Sequence, residues 1–573
     1  MYIETYADFF IKKFTEKYEI EKVFVYPGGT IAPLVNSALK AGLSVETFKT
    51  EQGAGYAAIS YGFAVGSPQL LLVTSGPGVT NAISCVCDAY FDSIPLVMVS
   101  GQIGTAELLS GRDVRQIGFQ QVDGASMLKN VTKYSECFTE ASDFKKLDEI
   151  FDLAQHQRGG PVYLELPMDL QRSEFLGFSE LTAKSKLKSP PILNPNELHD
   201  SLAIIKESLV KSRKPLALIG AGGLSSAQAQ QSLNRLIRQL NLHFVTSLRG
   251  VGFSSYKDPL NLGYLGHTGH ERANSAVFHS DFLLVLGSRL DVRQTGTQTE
   301  AFSKDKKIFS INNDLRELEA TRVEINIGLL SDVTSFSNSF LSYLKDYKIS
   351  GKQKWWAEIS DYRKREKNDL YKDGLVFTGR GLVETVSSIV SEKTVAVVTG
   401  VGCHQHWVAR HFDFQFPSKR LFTSSGHGTM GFDVPAAVGV AMSGEFSLTI
   451  CFVGDGSIMH NICELRSAVD RGLNVLFVVF QNKRLGIVSQ FQKITFGDDP
   501  TTSNFDTGDL CSIATGFGLY SMKIKYNDIE NFEFLINSVQ GPRMAVVEIS
   551  QEEDISPMLL GGSQLNDLWK LEL

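Results

Sequence analysis

Basic excess, clustered cysteines and long apolar runs are all scarce in this sequence. The formal net charge is −7 and no Lys/Arg block stands out, so the basic face that nucleic acid requires is missing. The seven cysteines are scattered. Only Cys85 and Cys87 are close, and their spacing suits neither a zinc knuckle nor a redox pair; reduced thiols are expected. No apolar stretch approaches the roughly 20 residues of a membrane span. The start, Met1-Tyr2-Ile3-Glu4, has no signal or transit character. These absences predict a cytoplasmic protein with neither nucleic acid nor membrane among its partners. Gly220-Ala221-Gly222-Gly223 lacks the full glycine spacing of a dinucleotide fingerprint, which counts against a Rossmann-type dehydrogenase.

What is present is an ordinary globular composition, 43% hydrophobic and 21% charged, over 573 residues. That length suggests about three domains. Residues 1–175 alternate strand-like runs (Val23–Tyr26, Leu70–Val73, Leu96–Val99, Val162–Leu166) with helical patterns, which predicts an α/β fold on a doubly wound parallel sheet. Residues 178–195, with Pro190-Pro191 and no periodicity, are expected to be a linker. A second α/β block covers 196–345 and a third 372–555, giving three consecutive doubly wound domains. The polar stretch Trp355–Tyr371 is expected to bridge the second to the third, and the tail after Pro557 to cover the last domain.

The most informative segment is Gly454-Asp455-Gly456-Ser457. It follows the apolar run Leu448–Val453, and a second apolar run, Leu473–Phe480, then delivers Asn482. Alone, Gly-Asp-Gly is a tight turn. Strand, acidic turn, helix (expected around Glu464, Leu465 and Ala468), strand and Asn can hold a diphosphate through a divalent metal. Helix N–H groups face the anion. Asp and Asn oxygens, a backbone carbonyl, two phosphate oxygens and a water make the octahedral shell that Mg²⁺ prefers.

With this motif the sequence resembles the thiamine diphosphate (ThDP) enzymes, and a distant segment agrees. Glu51 ends the strand-like run from Val45 and opens an Ala/Gly-rich helix. The resemblance implies that Glu51 hydrogen-bonds the pyrimidine nitrogen and favours the imino tautomer that deprotonates the thiazolium. A partly desolvated carboxyl with a raised pKa would suit that role. It implies that Met430, in Ser424–Gly431, bends the cofactor while the Gly428 carbonyl accepts from the pyrimidine amine. Gly402, Cys403 and His404 would contact the diphosphate, with Cys403 standing where acetolactate synthases usually have Gln. Gly454, Asp455, Gly456, Ser457, Asn482, Gly486 and Ile487 complete that end. Asp455, Asn482 and the Arg484 carbonyl hold Mg²⁺, so the Arg484 side chain is expected to matter less.

The match is closest to the acetolactate synthase-like branch. Tyr26-Pro27-Gly28-Gly29 resembles its glycine loop beside the reacting carbon, and Thr74–Asn81 another of its signatures. Phe119-Gln120 resembles the pair lining its substrate cavity. Pro27 and Asn81 are therefore expected near the cofactor, and Gly28, Gly29, Phe119 and Gln120 near the chemistry. The family shares each cofactor between two subunits, which implies a homodimer or a homotetramer. Segments containing Arg158, Gly220, Gly222, Ser247, Leu248, Gly266, Thr268, Gly269, Arg289, Asp291 and Arg293 resemble FAD contacts, where the flavin is largely structural. Asn312-Asn313-Asp314 departs from the more acidic family pattern.

The implied reaction is decarboxylation of a small 2-keto acid, most plausibly pyruvate, with transfer of the two-carbon unit to a second carbonyl compound. The absence of an adjacent His pair favours this carboligation over aldehyde release. Phe491 stands where acetolactate synthases usually have Trp, and Met168 where they commonly have Lys. These departures keep two alternatives open: a carboligase that adds an acetyl unit to a nucleotide-linked keto sugar in surface-polysaccharide synthesis, and a pyruvate oxidase-type flavoenzyme.

Overall fold

The computed structural model describes residues 4–109, 113–177, 195–367, 378–497, 501–525 and 528–570. It contains three six-stranded sheets whose paired strands are all parallel. The first comprises β1 (Lys22–Val25), β2 (Ser44–Thr47), β3 (Gln69–Val73), β4 (Leu96–Gln102), β5 (Tyr134–Cys137) and β6 (Pro161–Pro167). The second comprises β7 (Pro215–Ile219), β8 (Phe244–Thr246), β9 (Asn261–Tyr264), β10 (Phe282–Leu286), β11 (Lys307–Asn312) and β12 (Ile327–Leu330). The third comprises β13 (Val395–Thr399), β14 (Lys419–Thr423), β15 (Leu448–Gly454), β16 (Val475–Gln481), β17 (Tyr520–Ile524) and β18 (Arg543–Glu548). Apolar strands covered by helices on both faces are what a doubly wound sheet demands.

Strand order separates the sheets into two kinds. The outer two run β2-β1-β3-β4-β6-β5 and β14-β13-β15-β16-β18-β17, the same order twice. The middle sheet runs β12-β11-β10-β7-β8-β9, which is the Rossmann order read from its other edge. In such sheets ligands bind beyond the carboxyl ends of the strands where the winding reverses. The reversals lie between β1 and β3, between β7 and β10, and between β13 and β15.

The outer sheets share one continuous core, in which Phe24, Tyr56 and Leu71 pack with Val398, Phe432 and Val453. At its centre the helix Glu51–Val65 crosses the helix Asp433–Met442. Small residues permit the approach: a Cβ on Gly439 would lie 2.2 Å from the Ala57 carbonyl oxygen and 2.7 Å from its Cα. Backbone cannot yield as a side chain can, so Gly439→Ala is expected to cost about 3 kcal/mol. An unchanged denaturation midpoint would contradict this crossing.

Two expectations about connections change, and residues 368–371 of the expected bridge lie outside the described residues. The helix Gln353–Lys367 does not simply bridge domains: buried Trp355 packs with Leu216 and Val285 of the middle sheet, and its Nε1 donates to the Pro215 carbonyl at 3.2 Å. The tail covers the middle domain rather than the last, for Leu559 N donates to His267 O at 2.7 Å and Gly562 N to Thr297 Oγ1 at 2.8 Å. The half-buried edge strand β5 was not anticipated. The linker expected over 178–195 lies outside the described residues except for Pro195, which opens the helix Pro195–Lys211. Among the described residues no helix is long and apolar enough to cross a membrane.

Candidate active site

At the β1/β3 reversal, two loops are stitched together. Gly28 lies against Thr74, where a Cβ would come within 2.3 Å of the threonine Cβ. Thr30 Oγ1 and Thr74 Oγ1 are 2.9 Å apart, and Ser75 N donates to Thr30 Oγ1 at 3.0 Å. A Cβ on Gly29 would meet nothing within 4 Å, so that position opens outward; Pro27 before it is exposed. Gly76, at φ +65°, abuts the carbonyl of Gln120, itself at φ +62°. Phe119 projects outward, 86% exposed. Glu51 is the first residue of its helix, which Thr50 caps by accepting from Gly53 N at 2.9 Å. The Glu51 carboxylate is buried and Oε2 accepts from Asn81 Nδ2 at 3.1 Å. Asn81 is thus placed as a partner of Glu51.

At the β13/β15 reversal lies a small pocket of about 60 Å³. Gly402, Cys403, His404, Met430, Gly454, Asp455, Gly456, Ser457, Asn482, Arg484, Gly486 and Ile487 all line it. Gly428 stands just behind, at φ +79°, beside Val401. The Asp455 carboxylate is buried and fully engaged: Oδ1 accepts from Gly456 N at 2.9 Å, and Oδ2 from Asn482 N at 3.0 Å and Lys483 N at 2.7 Å. Burial nevertheless raises it to about 6. Asn482 Oδ1 accepts from Arg484 N at 3.2 Å.

The helix expected around Glu464, Leu465 and Ala468 is present, and a separate short helix, Asp455–Ile458, occupies the acidic turn before it. The Arg484 side chain is more engaged than expected, for it forms a buried ion pair with Asp554 at 2.7 Å. That pair ties the loop after β16 to the segment beyond β18.

His404 is neutral, since burial lowers it to about 3. Its Nε2 has no hydrogen-bond partner among the described residues. That nitrogen lies 3.9 Å from Asp433 Oδ2; the ring nitrogen on the Gly454 side is Nδ1, and it is the one that suits a phosphate oxygen. Burial pushes the Cys403 thiol up to about 12, so it is an uncharged neighbour. Among the described residues, no group of three His, Cys, Asp or Glu side chains could hold a metal alone.

A larger cavity, of about 600 Å³, opens at the β7/β10 reversal and reaches the first and third domains. Arg158, Gly222, Ser247, Leu248, Thr268, Arg289, Asp291 and Arg293 line it. Gly220, Gly266 and Gly269 stand behind the wall: a Cβ on Gly220 would lie 2.1 Å from the Gly287 carbonyl oxygen, and one on Gly266 1.9 Å from that of Arg293. Arg158 pairs with Asp314 at 3.4 Å and also with Glu317, fastening the first domain to the second. Arg249, in the segment 247–250 already matched to FAD contacts, and Arg420, which was not singled out from sequence, also line the cavity. Both stack on Phe63.

Glu464 was likewise missed. Its Oε1 accepts from Lys49 N and Thr50 N, both at 3.0 Å, so a buried carboxyl of the third domain anchors the strand-to-helix turn before Glu51. Gly53 makes room for this contact: a Cβ there would lie 2.1 Å from that oxygen.

Comparison with known proteins agrees with this architecture. Residues 5–127 match the N-terminal TPP binding domain of thiamine pyrophosphate enzymes, 202–340 their central domain and 400–549 their C-terminal TPP binding domain. The acetolactate synthase isozyme 2 large subunit of Escherichia coli is 30% identical over 553 residues, covering 96% of each chain. The large subunit from Haemophilus influenzae is 30% identical over 558 residues, 96% of this chain and 95% of that protein. The mitochondrial catalytic subunit of Saccharomyces cerevisiae is 29% identical over 571 residues, 96% of this chain and 81% of that protein. The chain belongs to the acetolactate synthase-like thiamine diphosphate enzymes. It is a ThDP-dependent carboligase built from three α/β domains.

The buried carboxyls of this ThDP enzyme make its stability pH-dependent. Burial raises Asp433 from 3.8 to about 6. A carboxyl with a folded pKa above its unfolded one binds its proton more tightly when folded. Its stabilising contribution is complete below about pH 4 and is lost as pH rises through about 6. Asp433→Asn keeps an acceptor for Ser457 Oγ, which now donates to Asp433 Oδ2 at 2.7 Å. The variant is expected to match the wild type in denaturant near pH 4 and to exceed it by up to about 3 kcal/mol near pH 8. Equal stability at both pH values would refute the assigned burial cost.

Proposed function

We propose that the chain acts on pyruvate and a second carbonyl substrate as a homodimer or dimer of dimers, with each ThDP held between two subunits. The observation that carries this is the separation of the two half-sites. Glu51 does not line the Asp455 pocket, and that pocket's about 60 Å³ is far below the several hundred Å³ a coenzyme fills. Each sheet offers one face at its winding reversal, so a second copy supplies the missing half.

Bound ThDP supplies the electron sink for decarboxylation and for transfer of the remaining two-carbon unit. The protein's part is placement and proton control. Glu51, oriented by Asn81, holds a proton at the pyrimidine end. Met430 would pack against the coenzyme and the Gly428 carbonyl would accept a hydrogen bond from it. His404 and the N–H groups opening the helix Gly486–Phe496 receive the diphosphate. Asp455, Asn482 and the Arg484 carbonyl supply the protein oxygens for Mg²⁺. Gly28, Gly29 and Gln120 leave room for the reacting carbonyl, and Phe119 faces the partner.

The middle cavity suits FAD. Its Rossmann strand order, its volume of about 600 Å³ and the arginines 158, 249, 289, 293 and 420 match an elongated dinucleotide. A purified protein without flavin absorbance would remove that assignment alone.

Product analysis tests the activity. Pyruvate given alone is expected to yield CO₂ and a five-carbon acetohydroxy acid identified by mass spectrometry. A product formed only when a nucleotide-linked keto sugar is added, or oxygen uptake without a ligated product, would replace this acceptor assignment.

A further inference from the structure

The helix Pro77–Phe91 does work at both ends. Near its start, Asn81 holds Glu51. Two turns later Asp88 is buried and reaches the third domain of the same chain, where its Oδ1 accepts from Ser424 Oγ. Ser424 follows β14. Its oxygen also accepts from Gly428 N at 2.9 Å and Thr429 N at 3.0 Å. Just past the helix end, Asp92 accepts from Ser425 N at 2.9 Å and Gly426 N at 3.0 Å. A serine hydroxyl has one proton and two acceptor sites. With the proton committed to a carboxylate, both acceptor sites are fixed toward the two N–H groups. Without that acceptor the hydroxyl rotates freely, and the left-handed turn at Gly428 loses its anchor. Asp88 also interacts with the hydroxyls of Thr429 and Tyr56, whose geometry is poorer, so the Ser424 bond is its best-formed link to the turn.

We propose that Asp88, acting through Ser424, is the positioning residue for the Gly428–Met430 turn. This rests on the assignment of that turn to the coenzyme and on the sharing of each coenzyme between subunits. Under that sharing, one first domain gives Glu51 to one coenzyme and uses Asp88 to steady its own chain's turn, which serves the other.

Asp88→Ala and Ser424→Ala are each expected to lower kcat at least about tenfold with KM for pyruvate nearly unchanged. Asp88→Asn keeps an acceptor oxygen and should retain most turnover. The decisive test uses assemblies of two differently tagged chains isolated through both tags. In an Asp88→Ala chain paired with a Glu51→Gln chain, both lesions fall on one site and the other is intact, so about half the wild-type turnover returns. Glu51→Gln paired with Asp455→Ala is the control and should behave likewise. Rescue in the control but not in the Asp88 pairing would overturn the proposal alone, as would an Asp88→Asn chain no better than Asp88→Ala. Failure of both pairings would overturn the shared-coenzyme arrangement and this proposal with it.

Discussion

Glu51→Gln is expected to lower CO₂ release from pyruvate at least about a hundredfold while ThDP stays bound. The amide has the same shape, and its oxygen can still accept from Asn81, which now lies 3.1 Å from the carboxylate. What it cannot do is exchange a proton with the pyrimidine ring. Removing a positioned acid or base costs about 10²–10⁴ in rate. The half-site is otherwise preserved, because the helix keeps its Thr50 cap and the Glu464 anchor to Lys49 and Thr50. Coenzyme content after gel filtration separates this loss from a binding defect. Full turnover in this variant contradicts the role given to Glu51.

Asp455→Ala is expected to fail differently, losing coenzyme and metal together. The carboxylate accepts from Gly456, Asn482 and Lys483, so it shapes the turn between β15 and β16 as well as offering oxygen to a cation. Its loss leaves buried N–H groups unpaired and removes the only acidic side chain lining the pocket among the described residues. A weakening of ThDP–Mg²⁺ binding by about a hundredfold, or about 2.7 kcal/mol, is a modest expectation. Asp455→Asn keeps acceptor oxygen while lowering the charge, so it should fall between the two. An Asp455→Ala protein that kept stoichiometric coenzyme through dialysis would show that the metal is held elsewhere.

Much of this was legible in the chain because local patterns carry it. Leu448–Val453 and Leu473–Phe480 predicted the adjacent parallel strands β15 and β16, and the glycines around Asp455 predicted a turn at their ends. What was not legible depends on residues far apart in sequence. Glu464 meets Lys49 across 415 positions, and Ser424 meets Asp88 across 336; neither pair leaves a periodic signal. The middle domain is the sharpest case. Its glycines fall short of the dinucleotide fingerprint, yet its strands take the Rossmann order, because that order is set by how β7 and β10 pair and not by one turn. The Arg484 side chain was undervalued because its partner, Asp554, lies 70 residues away.

The most direct test of the shared site is a crystal structure of the protein with ThDP and Mg²⁺. The expected result is one coenzyme whose pyrimidine meets Glu51 of one protomer and whose diphosphate, through the metal, meets Asp455 of its partner. A coenzyme gripped at both ends by a single chain, or an assembly in which those two carboxylates face no common cleft, would contradict it.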